Sequence, residues 1–286
     1  PLRERLARLL ADRLVLDFSG DTRKLREYAY DATGDLLGAI NWDGVVPDGT
    51  VKIRIGGDIN SYYYYLSNVF GVTYSGIEHL EVTGTPYDDW LVGGALADVL
   101  RGGGGSDYLV GGDGDDLLEG GNGDDYLDGG NGVDVLNGGA GDDTFKVGDS
   151  RNHDQVDGGD GTDTLVADLS WFSGDFALDN DPAVTTVLPG GTIYTGIEGF
   201  NLTLGAGNDA LDNTRTGGSD YWITGDGNDV INSGGGNDVI DAGDGNDTID
   251  SGSGNDVVNA GAGDDVIYHK DGGYDTVDGG AGVDRL

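Results

Sequence analysis

An aspartate recurs every nine residues through two long stretches of this 286-residue chain. The first run is Asp89, Asp98, Asp107, Asp116, Asp125, Asp134 and Asp143, followed after a two-residue insertion by Asp154 and then Asp163. The second holds Asp209, Asp220, Asp229, Asp238, Asp247, Asp256, Asp265, Asp275 and Asp284, again mostly nine apart. Two residues after each Asp stands an apolar residue: Leu91, Leu100, Leu109, Leu118, Leu127, Leu136, Phe145, Val156 and Leu165 in the first run. In the second these are Leu211, Trp222, Ile231, Ile240, Ile249, Val258, Ile267, Val277 and Leu286. The chain is only 36% apolar, so eighteen apolar residues at these places would arise by chance about once in 10⁸ trials. With 57 Gly and a formal charge of −38, the composition alone reads as disorder. The register overrules that reading and makes this a repeat architecture, in which each unit buries its apolar residue only by stacking on neighbours.

The unit is seen most cleanly in GGDGDDLLE (111–119) and GGNGDDYLD (120–128). Its six Gly-rich residues suit a tight turn. The last three, with one apolar residue in the middle, suit a short strand whose centre points inward. Two turns and two strands then close a coil of eighteen residues. Aspartates eighteen apart stack on one edge, about 4.8 Å from one another. Like carboxylates at that distance repel by about 3 kcal/mol at an effective dielectric of 20, so a cation belongs between them. An all-oxygen donor set without nitrogen or sulfur suits a hard ion, and flexible coordination favours Ca²⁺ over Mg²⁺. Strict eighteen-residue pairs number five in the first run (89/107, 98/116, 107/125, 116/134, 125/143) and four in the second (220/238, 229/247, 238/256, 247/265). The ends depart from the pattern: Pro86 and Leu96 interrupt the first turns, Trp222 replaces an aliphatic residue, and 213–218 lacks the leading Gly pair.

The pattern G-G-x-G-x-D-x-U-x, with U apolar, resembles the nonapeptide of the repeats-in-toxin (RTX) family of haemolysin-type calcium-binding proteins, over about 160 residues. That resemblance implies an all-β fold with two right-handed parallel β-rolls, joined and capped by β-rich spacer segments. The expected divisions are 1–83 (a short helix plus a β-rich capping segment), 84–166 (first roll), 167–204 (spacer) and 205–286 (second roll). It also implies six oxygens per ion, shared between two turns on one edge. Carried onto this chain, one site takes the carbonyls of Gly103 and Gly105 with Asp107, and the carbonyls of Gly120 and Asn122 with Asp125. The remaining expected ligands of the first roll are Gly112, Gly114, Asp116, Gly121, Gly123, Gly129, Gly130, Asn131, Gly132, Asp134, Gly138, Ala140, Asp143 and Asp163. Those of the second are Asp220, Gly225, Gly227, Asp229, Gly234, Gly236, Asp238, Gly243, Gly245, Asp247, Gly252, Gly254, Asp256, Gly261, Gly263 and Asp265. The expected load is roughly 6–12 Ca²⁺, with each Asp serving two neighbouring ions. Two buried apolar side chains per coil are few against eighteen ordered residues, so calcium is expected to drive folding of the rolls.

A longer repeat overlies the nonapeptide. ADRLVLDFSG (11–20) matches TDTLVADLSW (162–171), and VTYSGIEHLEVTG (72–84) matches TIYTGIEGFNLTLG (192–205). The period is 163 − 12 = 151 residues, and GVDRL (282–286) resembles the start of a third copy. The Gly-Ile-Glu strands are expected to stack on the first coil and cap it. Residues 1–11 place Leu2, Leu6, Leu9 and Leu10 at helical spacing with Arg on the other face, which reads as a short docking helix or a terminal remnant in preference to a membrane-surface helix. There is no Met at any position, so the chain reads as a processed or excised piece of something longer.

The same sequence narrows the function classes. A charge of −38 opposes nucleic acids and anionic membranes, and no apolar run approaches the roughly 20 residues of a membrane span. With no Cys there are no disulfides or thiolate sites. Of three His, His79 lies in a Gly-Ile-Glu strand while His153 and His269 lie at insertions, and no hydrolase, zinc-protease or nucleotide motif occurs. No EF-hand loop is present either. The chain is therefore expected not to be an enzyme. SYYYYLSN (61–68) reads first as ordinary packing of strand aromatics, with a solvent-facing pair of rings that would suit glycans or cell-surface material as the alternative. An ice-binding face is rejected, because the third position of the second run reads Asp226, Gly235, Asp244, Ser253 and Ala262 with no Thr ladder. The resemblance implies a monomeric calcium-binding region of a bacterial protein that leaves by type I secretion and folds outside the cell or on its surface. A structural or adhesin-like role is expected, and the alternative is the secretion-supporting tail of an enzyme or toxin such as a protease, lipase, epimerase or haemolysin.

Overall fold

The computed structural model describes residues 79–84, 86–149, 152–268 and 273–286, together with the backbone of the strands Arg13–Asp17, Arg26–Tyr30, Leu36–Asn41, Val51–Ile55 and Phe70–Tyr74. The expected helix at 1–11, the tyrosine cluster at 61–68, the first Gly-Ile-Glu at 76–78 and His269 lie outside the described residues. Among those residues the regular structure is strand, with no α-helix, and no helix is long and apolar enough to cross a membrane. The chain divides into two compact units, Pro1–Lys146 and Val147–Leu286.

In the first unit, nonapeptide strands alternate between two parallel sheets. Leu80–Thr83, Val99–Gly104, Leu117–Asn122 and Val135–Ala140 form one stack. Trp90–Val92, Tyr108–Asp113 and Tyr126–Asn131 form the other. Register follows the eighteen-residue coil: Leu100 pairs with Leu118 and Leu118 with Leu136, while Leu91, Leu109, Leu127 and Phe145 align in the opposing sheet. The pleat sends each of these inward, where all are fully buried. Its outward partners form a ring ladder, with Trp90 edge-on to Tyr108 and Tyr108 stacked on Tyr126 at 4.7 Å between centroids.

The second unit repeats the scheme with shorter strands. Thr164–Asp168, Gly199–Thr203, Tyr221–Ile223, Val239–Asp241, Val257–Asn259 and Thr276–Asp278 stack in parallel on one side. Ala177–Asp179, Ala210–Asp212, Val230–Asn232, Thr248–Asp250 and Val266–Tyr268 stack on another. Of the eighteen apolar repeat positions all but Val277 and Leu286 are buried, Trp222 included.

The Gly-Ile-Glu strands stack as expected but do not cap. Leu80–Thr83 is hydrogen-bonded on both edges, to Arg13–Asp17 and to Val99–Gly104, and Gly199–Thr203 lies between Thr164–Asp168 and Tyr221–Ile223. A strand paired on both edges is an interior layer. In the first unit the layers beyond it are Arg13–Asp17 and then the antiparallel strands Arg26–Tyr30 and Leu36–Asn41. The longer repeat holds at the level of register, since Leu14 opposes Leu80 as Leu165 opposes Phe200, although the segment between the paired strands is shorter in the second copy.

Candidate functional site

The nonapeptide aspartates line the turns with their carboxylates turned inward. Those from Asp89 to Asp163 and from Asp209 to Asp265 are at most 3% exposed. Most of them use Oδ1 to accept a backbone N–H from the preceding coil. The N–H groups of Asp89, Asp98, Asp107, Asp116 and Asp125 donate to Oδ1 of the aspartate eighteen residues on, at 2.6–2.8 Å. In the second unit Asp220, Asp229, Asp238 and Asp247 do the same at 2.8–3.0 Å. A second ladder runs the opposite way on the exposed rim. There the N–H of Val133 donates to Asp115 Oδ1, that of Asp142 to Asp124 Oδ1, and that of Asn246 to Asn228 Oδ1. Two opposed ladders hold successive turns in register.

The other carboxylate oxygen is the informative one. Oδ2 of Asp107, Asp116, Asp125, Asp229, Asp238, Asp247, Asp256 and Asp265 is buried with no hydrogen-bond partner. A buried carboxylate oxygen without donor or counter-charge is costly, and repeating it eight times marks a common missing partner.

Glycines have two separate duties around these oxygens. Gly121 and Gly123, at the second and fourth positions, have φ of 119° and 116°, which disfavours any side chain. Gly120, at the first position, has no such φ and is small for reasons of space. A Cβ there would collide with Asp125 Oδ2 and stand 2.7 Å from the Gly138 carbonyl oxygen. The same cradle recurs at Gly102, flanked by Asp107 Oδ2 and the Gly120 oxygen, and at Gly111, flanked by Asp116 Oδ2 and the Gly129 oxygen. Asp107 and Gly120, two members of the expected ligand set, therefore face one point. The carbonyls of Gly103 and Gly105 point along the stack, against Gly121 and Gly123 one coil further on. In the second unit Gly225, Gly227, Gly234, Gly236, Gly243 and Gly245 do so against Gly243, Gly245, Gly252, Gly254, Gly261 and Gly263. Third-position carbonyls are already engaged once: Ala140 O accepts from Gly123 N–H at 2.7 Å and Asn131 O from Gly114 N–H at 2.8 Å. Each keeps a second lone pair.

Electrostatics agree with this accounting. Burial, opposed by the N–H bonds and reinforced by neighbouring carboxylates, pushes the carboxyl of Asp107 up to about 8 and that of Asp116 to about 7. Asp125 and Asp247 rise to about 6 for the same leading reason. Anionic oxygens and stacked carbonyls with no basic side chain among them can hold a hard cation, and the orphaned Oδ2 atoms fit Ca²⁺. Among the described residues no three His, Cys, Asp or Glu side chains converge on a point.

One residue of this machinery escaped the sequence reading. The N–H of Asp163 donates to Glu198 Oε2 at 2.9 Å, thirty-five residues on, where other turns offer an aspartate eighteen on. Phe200, two residues later, faces Leu165 in the core. Glu198-x-Phe200 thus follows the Asp-x-apolar grammar, with Glu for Asp and an enlarged coil between. The spacing of Glu to the inward apolar residue was the signal.

The family model of the RTX calcium-binding nonapeptide repeat, built on four copies, matches residues 83–118, 110–145, 150–169, 215–249, 242–273 and 271–286. No curated protein matches the chain.

Proposed function

The chain belongs to the RTX calcium-binding nonapeptide repeat family, and from that premise we propose that it is a calcium-triggered structural segment of a protein working outside the cell. Its repeats form a calcium-binding structural region. The row of buried, partnerless Oδ2 atoms carries the proposal: without a cation the folded turns hold uncompensated carboxylates, and with one those same atoms become ligands. Asp107, Asp116 and Asp125 would hold ions in the first unit, and Asp229, Asp238, Asp247, Asp256 and Asp265 in the second, each with turn carbonyls. What calcium supplies is charge neutralisation and cross-linking of adjacent coils. What the chain supplies is the N–H ladder that aims each carboxylate and the glycine cradle that makes room for it.

Such a segment stays unfolded where calcium is scarce, as in the cytosol, and folds after export; type I secretion suits that logic. Among possible roles a stalk-like or adhesin-like repeat is favoured over catalysis. The observation behind this choice is the matching register of the two copies of the longer repeat, Leu14 on Leu80 and Leu165 on Phe200. Duplication of a whole layer with its pairing intact is how an extended array grows. The load remains roughly 6–12 ions.

Far-UV circular dichroism and hydrodynamic radius in EGTA and in millimolar CaCl₂ test the proposal. Strand signal should appear and the radius contract on adding calcium, but not on adding magnesium. Unchanged spectra and radius would refute it.

A further inference from the structure

The turn between Asn213 and Asp220 is built from a different chemistry. Asn213 is fully buried, and its Nδ2 donates to both carboxylate oxygens of Asp220, at 3.2 and 3.0 Å, and to the Glu198 carbonyl at 2.8 Å. Asp220 Oδ1 also takes the Phe200 N–H at 2.8 Å. The neighbouring carbonyls are occupied by side chains as well. Thr216 Oγ1 donates to Glu198 O at 2.8 Å and to Asn213 O at 3.1 Å. Arg215 reaches Asn180 O at 3.1 Å and pairs with the Asp179 carboxylate. Behind them Asn180 Nδ2 donates to Asn213 Oδ1 and to Ile197 O, both at 2.8 Å, and Tyr194 Oη donates to Asn180 Oδ1 at 3.3 Å.

A cation site needs oxygens with lone pairs to spare. Here an amide, a hydroxyl and a guanidinium present N–H and O–H groups, whereas turns such as those of Asp247 and Asp256 leave the carboxylate Oδ2 without a hydrogen-bond partner. An amide that donates to both oxygens of a carboxylate occupies the place a metal would take. These residues therefore do not fit calcium, in contrast to Asp247 and Asp256, whose Oδ2 atoms have no hydrogen-bond partner. The same enlarged coil is also rich in what a regular coil lacks. Leu178, Leu188, Tyr194, Ile197, Phe200 and Trp222 are all buried in it or against it, with Tyr194 edge-on to Phe200 at 5.6 Å. More apolar burial and a hydrogen-bonded network around Asp220 weaken both reasons a regular coil needs an ion, although the buried Trp222 Nε1 has no partner.

We infer that Asp220 is not a calcium ligand and that the coil leading to it, closed by Asn213, Thr216 and Arg215, is a calcium-independent layer on which the ion ladder from Asp229 to Asp265 assembles. The inference rests on the calcium reading of that ladder. A folded layer presents Tyr221–Ile223 and Ala210–Asp212 as ready-made edges for Val239–Asp241 and Val230–Asn232, so that each added coil orders against an existing partner.

Two measurements on the full chain decide it. Native mass spectrometry in saturating calcium should give Asp220→Asn the wild-type ion count, whereas Asp238→Asn should lose at least one ion. In EGTA, hydrogen exchange should leave amides of residues 193–204 protected by at least about tenfold relative to residues 229–268. An ion lost in Asp220→Asn, or equal exchange in the two segments, would overturn the inference while leaving the calcium function standing. A wild-type chain that binds no calcium would remove both.

Discussion

At Asp125 the two carboxylate oxygens are held in different ways, and substitutions can separate them. Oδ1 caps the N–H of Asp107 at 2.7 Å, while Oδ2 is the buried orphan beside Gly120. Asp125→Asn retains an oxygen for the cap and removes the charge. Asp125→Ala removes both and strands a buried N–H, which costs about 1–3 kcal/mol. Because the resemblance has each Asp serving two ions, the Asn variant should titrate with calcium less cooperatively while keeping most of its saturated strand signal. The Ala variant should lose signal as well. Calcium titration followed by circular dichroism reads both effects, and a wild-type isotherm for Asp125→Asn would end the shared-ligand scheme.

Strands and turns differ between the two units, and the central coils of each differ at one position. In the first unit the leading residue of each nonapeptide is Gly, and strands such as Leu117–Asn122 run six residues, pairing onward through Gly121 with Gly103. In the second, Thr224, Ser233, Ala242, Ser251 and Ala260 fill that place and are buried. Their strands run three residues, with isolated bridges such as Asp226 to Asp244 beyond. Thr224 and Ser233 turn their hydroxyls to good account, donating to the carbonyls of Ala242 and Ser251 at 2.9 and 2.8 Å. Gly120→Ala should therefore be harmful, costing about 1–3 kcal/mol through overpacking against Asp125 and raising the calcium midpoint. Ala242→Gly should change stability by about 1 kcal/mol at most. Equal midpoints for the two variants would show that the first position carries no spatial constraint. Most of this element pattern was legible beforehand, because Asp-x-apolar at a fixed period specifies both which residue faces inward and where each carboxylate stacks. The interior place of the Gly-Ile-Glu strands was not. Glu198 stands thirty-five residues from Asp163, so no nine-residue register connects them, and only the pairing of Phe200 with Leu165 shows that both belong to one ladder. The amide closure at Asp220 was equally hidden, since Asn180 lies thirty-three residues from Asn213 and joins it only through the fold.

For the molecule as a whole, the charge of −38 is organised rather than diffuse, and that organisation sets a pH dependence. In the metal-free fold burial raises the carboxyls of Asp107 to about 8, Asp116 and Asp143 to about 7, and Asp125 and Asp247 to about 6. In the unfolded chain the same groups titrate near 3.8. From about pH 4 to about pH 8 the metal-free fold therefore binds more protons than the unfolded chain, and its stability falls as pH rises. Acidification in EGTA from about pH 8 to about pH 5 should thus recover part of the strand signal that calcium restores at neutral pH. Calcium must displace those protons to bind, so the pH effect on the ion runs the other way. The calcium midpoint should rise as pH falls, most steeply below about pH 6 where all of these carboxyls hold protons. Titrations by circular dichroism at several pH values measure both trends on one sample. A midpoint independent of pH would mean that the buried aspartates are not the groups exchanging protons for calcium, whatever else binds the ion.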